Sequence, residues 1–232
     1  MNAGNCNFVG NWSCRDAYST AQCLLVKILA VSDQVVERLY TLASGGHFDG
    51  VELILGCGDL PYTYLEYLVT VVNAPLYYVP GNHDPQFDPR DVRSKVEGGS
   101  NMDLRTASHK NILVGGFGGS IRYRPDGTNQ YTQSEAYARA FSMIPQLLMN
   151  WVKYQHTLDI LISHSPPFGI HDDNDPAHNG LKALNWLTRI ARPRYLLHGH
   201  THFYRNNLEN STTILDRTTI VNVYPYRVID IS

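Results

Sequence analysis

Runs of apolar β-formers, each closed by a short polar patch and separated by amphipathic stretches, recur along nearly the whole chain. Strand-like runs occupy 26–31, 51–56, 75–79, 111–115, 158–163 and 194–198, with a β-rich tail at 219–223 and 226–231. Helical periodicity covers 35–44, closed by Gly45-Gly46, then 62–72 with Pro61 at its start, 133–155 interrupted at Pro145, and 177–191. That alternation predicts a βα-layered α/β domain. The segment 85–110 has no clear periodicity and is read as a long surface excursion, of the kind that often serves an active site.

With 232 residues the chain suits one well-buried domain. Hydrophobic residues make up 43% and charged ones 17%, which excludes a disordered chain. The formal net charge of -2 supplies no basic field for nucleic acid or an anionic membrane, so any phosphate must be met by local cations. No run approaches the roughly 20 apolar residues of a membrane span. The start lacks a basic segment followed by an apolar one, and the expected compartment is cytoplasmic. Residues 1–23 are read as an irregular N-terminal extension before a domain over 24–232, with Val26 as the expected natural first residue from an alternative start codon. The four cysteines match no zinc spacing; Cys6, Cys14 and Cys23 are read as free thiols rather than a disulfide framework, and Cys57 ends an apolar strand beside Asp59.

The polar patches are Ser32-Asp33, Gly58-Asp59, Gly81-Asn82-His83-Asp84, Ser163-His164 and His198-Gly199-His200-Thr201-His202. Their oxygen and nitrogen donors suit Mn, Fe, Ni or Zn, and strand ends are rigid places to hold them. In order and spacing they resemble the calcineurin-like metallophosphoesterase superfamily, whose pattern is D-x-H, G-D, G-N-H-D/E, a lone His after a strand, and G-H-x-H. The resemblance spans roughly residues 26–231. It implies a four-layer α/β/β/α sandwich of two mixed β-sheets flanked by helices. It also implies two divalent metal ions: Asp33 and His202 on the first, Asn82, His164 and His200 on the second, and Asp59 bridging both. His83 would contact the scissile phosphate as general acid or electrostatic stabiliser.

The implied chemistry is hydrolysis of a phosphate ester by a hydroxide shared between the two ions. The protein-phosphatase version of the pattern is missing, because Asp59 is followed by Leu60-Pro61-Tyr62-Thr63 and Gly81 is preceded by Pro80. No carboxylate that would orient His83 can be named. The short chain resembles the capless phosphodiesterase members, so a phosphodiester or small phosphomonoester is the expected substrate. A nuclease of the same fold would want a basic groove that the charge does not offer. The other alternative is a binding scaffold with weakened catalysis, as the retromer subunit of the superfamily illustrates.

One ligand position departs from the pattern: D-x-H is replaced by Asp33-Gln34-Val35. Valine cannot ligate, so the first metal keeps Asp33, Asp59 and His202 and is expected to bind weakly. Gln34 reads as a residue at a helix start. The loop Gly169–His178 offers two readings. Either it is a solvated acidic turn with Asp175 capping a helix that begins near Pro176, or His171 or Asp172 leans into the site as lost ligand or substrate contact. His200 and His202, as i and i+2 of an extended segment, would face one site. His198 is read as a histidine buried in the strand. The glycines of 115–119 are expected to let a strand turn sharply between sheets, and Arg122 or Arg124 beyond them is a candidate phosphate partner. Tyr224-Pro225-Tyr226-Arg227 is read as aromatic packing.

Overall fold

The structure, a computed structural model, describes residues 25–202 and 210–231. One sheet is built from β1 (Val26–Val31), β2 (Val51–Gly56), β3 (Leu76–Tyr78), β4 (Gly99–Asn101) and β13 (Tyr226–Ile231). Its order is β13-β1-β2-β3-β4, with β1 to β4 parallel and β13 antiparallel to β1. The other contains β5 (Thr106–His109), β6 (Ile112–Phe117), β9 (Ile160–Ser163), β10 (Tyr195–His198), β11 (Thr212–Leu215) and β12 (Thr218–Asn222). Its order is β11-β12-β10-β9-β6-β5, with the four inner strands parallel. A small ladder joins β7 (Ser120–Ile121) and β8 (Gln130–Tyr131).

Successive side chains of a strand point to opposite faces, and here both faces are buried, so the strands read as unbroken apolar runs. Ile28, Ala30, Leu53 and Leu55 face Val114, Ile160, Ile162 and Leu197 between the sheets. On the outside, Leu29, Val31 and Ile54 pack under α1 (Glu37–Ser44) and α2 (Tyr62–Val72) through Leu39, Leu65 and Leu68. Leu113, Leu161 and Leu196 do the same under α3 (Gln133–Ser142), α4 (Ile144–Tyr154) and α5 (Lys182–Ala191). Each such buried side chain contributes about 1.5–3 kcal/mol. The layers are those of the expected α/β/β/α sandwich.

Some expectations need correction. The excursion 85–110 contains the edge strands β4 and β5, whose Gly99-Ser100-Asn101 and Thr106–His109 are half-buried or exposed and carry no apolar alternation. The last helix starts at Lys182, not 177, because Asp175 Oδ1 accepts the backbone N–H of Ala177 and His178 and closes a turn. Gly115 and Gly116 lie inside β6, where a Cβ would stand 2.8 Å from Leu158 Cδ1 and 2.5 Å from the Met102 carbonyl oxygen. The turn they were expected to make falls at Gly118-Gly119, with Gly119 at φ 83°. The N-terminal extension and three of the four cysteines lie outside the described residues. Among the described residues no helix is long and apolar enough to cross a membrane.

Candidate metal centre

Parallel strands deliver their C-terminal ends to one edge of a sheet, and the loops at such an edge can build a site. β1, β2 and β3 end in the patches of Asp33, Asp59 and Asn82, and β9 and β10 in those of His164 and His200. At three of these exits the chain turns through the left-handed region: Asp33 at φ 62°, Asp59 at φ 55° and His200 at φ 67°. Such a conformation costs an L-residue about 1–2 kcal/mol, and strain of this kind concentrates at functional sites. The turn at His200 corrects the extended i, i+2 geometry expected for His200 and His202. Glycines let these exits close on each other: a Cβ on Gly58 would stand 2.6 Å from His164 Nδ1, and one on Gly199 would overlap Ser32 Oγ and Asp33 Oδ2.

Four donors converge on one point. His164 Nε2 lies 3.0 Å from Asn82 Oδ1, 3.0 Å from His200 Nδ1 and 3.3 Å from Asp59 Oδ2. Asp59, His164 and His200 form the one group of three or more potential metal-binding side chains found among the described residues. The far nitrogens of the two imidazoles are both committed: His164 Nδ1 donates to the Cys57 carbonyl at 2.9 Å and His200 Nε2 to the Ala177 carbonyl at 2.7 Å. A carbonyl only accepts, so both rings turn their lone pairs to the shared point, which suits a cation and is how metal-bound histidines are commonly held.

Without an ion, a proton takes that place. Burial would lower the His164 pKa, but Asp59 and Asp33 overcome it and hold the ring protonated up to about 10. Burial likewise would raise Asp59, yet His164 and the His83 backbone N–H bring it down to about 2. His200, buried beside that cation, falls to about 3 and stays neutral. Asp59 and Asp33 thus favour the protonated ring at neutral pH, and a divalent ion bound there would displace that proton. Mn²⁺ affinity, measured by titration calorimetry, is expected to rise about tenfold per pH unit through neutrality; a flat profile would contradict this reading of His164.

The expected first-metal residues are less tightly gathered. The Asp33 side chain is 5% exposed, and its Oδ2 accepts from Ser32 Oγ and from the His200 backbone N–H at 2.9 Å. Burial raises its pKa despite the nearby His164. Its Oδ1 faces His202 Nε2 at 3.9 Å. Val35 packs against the apolar layer under α1 and α2 and offers no donor. Gln34 Oε1 accepts from the Tyr224 hydroxyl at 2.7 Å, and the Tyr224 ring stacks on His202 at 4.4 Å. The donor set thus fits an ion fully at the second position and sparsely at the first.

His83 stands at the mouth with its side chain 68% exposed and Nε2 4.0 Å from Asp59 Oδ2, which makes Asp59 the carboxylate facing it. Asp84 does not face the ring. Its Oδ2 accepts the backbone N–H of Asp59 and of Gly81, at 2.9 and 2.8 Å, which ties two of the exits together. His171 and Asp172 are not brought to the four donors. His171 pairs with buried His198 at 2.9 Å and with Thr213, and Asp172 accepts from Gly169 N and Gly180 N within its own loop. Arg122 is paired with Glu135 at the start of α3. Arg124 instead lines a cavity of about 810 Å³ shared with Asn82, His83 and Tyr123.

Two contributors are not named by the sequence pattern, although the Gly169–His178 loop stands out there for His171 and Asp172. The loop containing His171 reaches the centre through the Ala177 carbonyl and through the His178 ring, 5.1 Å from that of His200. Tyr123 lies between the two arginines and accepts from Asn82 Nδ2 at 3.2 Å.

Known proteins place this geometry. The family model for the calcineurin-like phosphoesterase matches residues 26–204, and the chain belongs to that family. Its members are metal-dependent phosphoester hydrolases as a class. One solved crystal structure superposes with a TM-score of 0.62 at 14% identity, covering 89% of this chain and 95% of its own. TT1561 of Thermus thermophilus does so at 0.57 with 18% identity, covering 86% and 89%. At these identities the likeness is one of fold. Among curated proteins, no sequence gives a significant match.

Proposed function

We propose that the protein hydrolyses small phosphate esters, a phosphodiester or a small phosphomonoester, with divalent ions held at the strand tips. The observation that carries this is the meeting of Asp59, Asn82, His164 and His200 at one point beside an exposed His83. Mixed oxygen and nitrogen donors suit Mn, Fe, Ni or Zn. Ions bound there supply an activated water and neutralise phosphoryl charge. Asp59, still charged at neutral pH, would serve both positions, and Asp33 and His202 would complete the first.

The chain's own residues do the rest. His83, hydrogen-bonded through its backbone to Asp59 Oδ1 at 2.8 Å, has a ring free to give a proton to the leaving oxygen. Arg124 replaces Arg122 as the guanidinium placed to grip the phosphate, since it lines the His83 cavity and Arg122 is spent on Glu135. With Mn²⁺, turnover of bis-p-nitrophenyl phosphate or p-nitrophenyl phosphate is expected, and His83→Ala should lower it by about 10² to 10⁴-fold. The second reading, a binding scaffold with weakened catalysis, is favoured by one observation: Val35 sits in the apolar layer where the family pattern has a ligand. Equal background hydrolysis in both proteins would select it.

A further inference from the structure

Asn82 is 5% exposed, so its amide must find its partners inside the protein. Its oxygen faces His164 Nε2, and its Nδ2 donates to the Tyr123 hydroxyl. The two ends of an amide are nearly the same size, and only hydrogen bonding decides which of them faces the ion.

Tyr123 is itself held from behind. Buried Gln130 accepts through Oε1 from the backbone N–H of Tyr123 at 3.3 Å and of Arg124 at 3.2 Å. Asn129 Nδ2 donates to the carbonyls of Gly81 and Asp84 at 2.9 and 3.1 Å, and Gly119 N donates to Pro80 O at 2.8 Å. Gly118 approaches so closely that a Cβ there would stand 2.7 Å from Pro80 Cδ. The excursion from Gly118 to Gln130 is thus tied to the turn Pro80–Asp84 through Gly118, Gly119, Tyr123 and Asn129.

We propose that Tyr123 is a positioning residue for the metal centre, keeping the Asn82 oxygen turned to the ion by accepting the hydrogen bond of its nitrogen. The role rests on the four donors forming a metal centre, and it does not depend on which ester is hydrolysed. Removing the hydroxyl strands a buried N–H, which is costly, and the amide rotates towards another acceptor, taking Oδ1 off the ion. A carboxylate at position 82 has no N–H to satisfy and presents an oxygen either way.

The test is calorimetric titration with MnCl₂ of the wild-type chain, Tyr123→Phe, Asn82→Asp and the double variant. Tyr123→Phe is expected to weaken binding about tenfold or more, the range seen when a group orienting a ligand is lost. Its ion-free melting temperature should fall by no more than a few degrees, the cost of the unpaired N–H. In the Asn82→Asp background the same substitution should cost nothing. Wild-type affinity in Tyr123→Phe, or an equal loss in both backgrounds, would overturn the role. Failure of the wild-type chain to bind Mn²⁺ would overturn the centre with it. Mn²⁺ binding without hydrolysis of either nitrophenyl ester would overturn the catalytic reading and leave the positioning role standing.

Discussion

Asp59→Ala is expected to weaken Mn²⁺ binding by more than about a hundredfold and to reduce metal-dependent hydrolysis to background. Loss of a group that merely orients a ligand costs about 10–100-fold in affinity, and Asp59 is itself a donor. Its two oxygens serve different partners: Oδ2 approaches His164 Nε2 at 3.3 Å, while Oδ1 accepts the His83 backbone N–H at 2.8 Å. The substitution therefore removes a ligand, the principal counter-charge of fully buried His164, and a tether of the proposed acid. Breaking a buried pair by deleting one partner typically costs about 3–5 kcal/mol, so the ion-free protein should also melt earlier. Asp59→Asn separates these effects. It retains an acceptor for His83 N but not the counter-charge of His164, and is expected to recover only the part of the melting temperature that the His83 tether contributes and little of the Mn²⁺ affinity. Calorimetry beside a thermal melt reads both. Wild-type Mn²⁺ affinity in Asp59→Ala would show that the ion binds elsewhere.

Gly81→Ala should damage the centre without changing any donor. Its backbone is not left-handed, so alanine meets no conformational penalty. The difficulty is space: the added Cβ would overlap Asp59 Oδ1 and stand 2.7 Å from the Asp59 backbone nitrogen. One of the two exits must move, and overpacking of this kind costs about 1–3 kcal/mol. Because the displaced atom belongs to a donor, Mn²⁺ affinity should fall along with stability. Gly50→Ala is the control: its φ is 84°, but nothing lies within 4 Å of the added Cβ. It is expected to cost about 1 kcal/mol in conformational strain and leave metal affinity unchanged. An unaffected centre in Gly81→Ala would mean that the exits are not packed as closely as described.

How much of this was legible in the residues depends on what each part exposes to water. β1 and β2 are buried on both faces, so Val26–Val31 and Val51–Gly56 stand out as apolar runs with the bounds the sequence suggests. β4, β5 and β11 are short edge strands with polar or mixed side chains, and their ladders are made by backbone groups that carry no residue signature. The same division holds at the site. Asp59, Asn82, His164 and His200 could be named as candidates because each follows a buried strand. The groups that aim them could not: the carbonyls of Cys57 and Ala177 belong to any residue type, and Tyr123 is brought to Asn82 by a loop 41 positions away in the chain. His171 drew attention by its acidic neighbours, yet its ring is turned to His198, where burial lowers its pKa to about 4.

The most direct test is anomalous diffraction at the manganese edge from crystals soaked in MnCl₂. A peak is expected within ligand distance of Asp59 Oδ2, Asn82 Oδ1, His164 Nε2 and His200 Nδ1, with a weaker one between Asp33, Asp59 and His202. A folded protein whose four donors surround no anomalous density, at concentrations that saturate any binding seen in solution, would contradict the account.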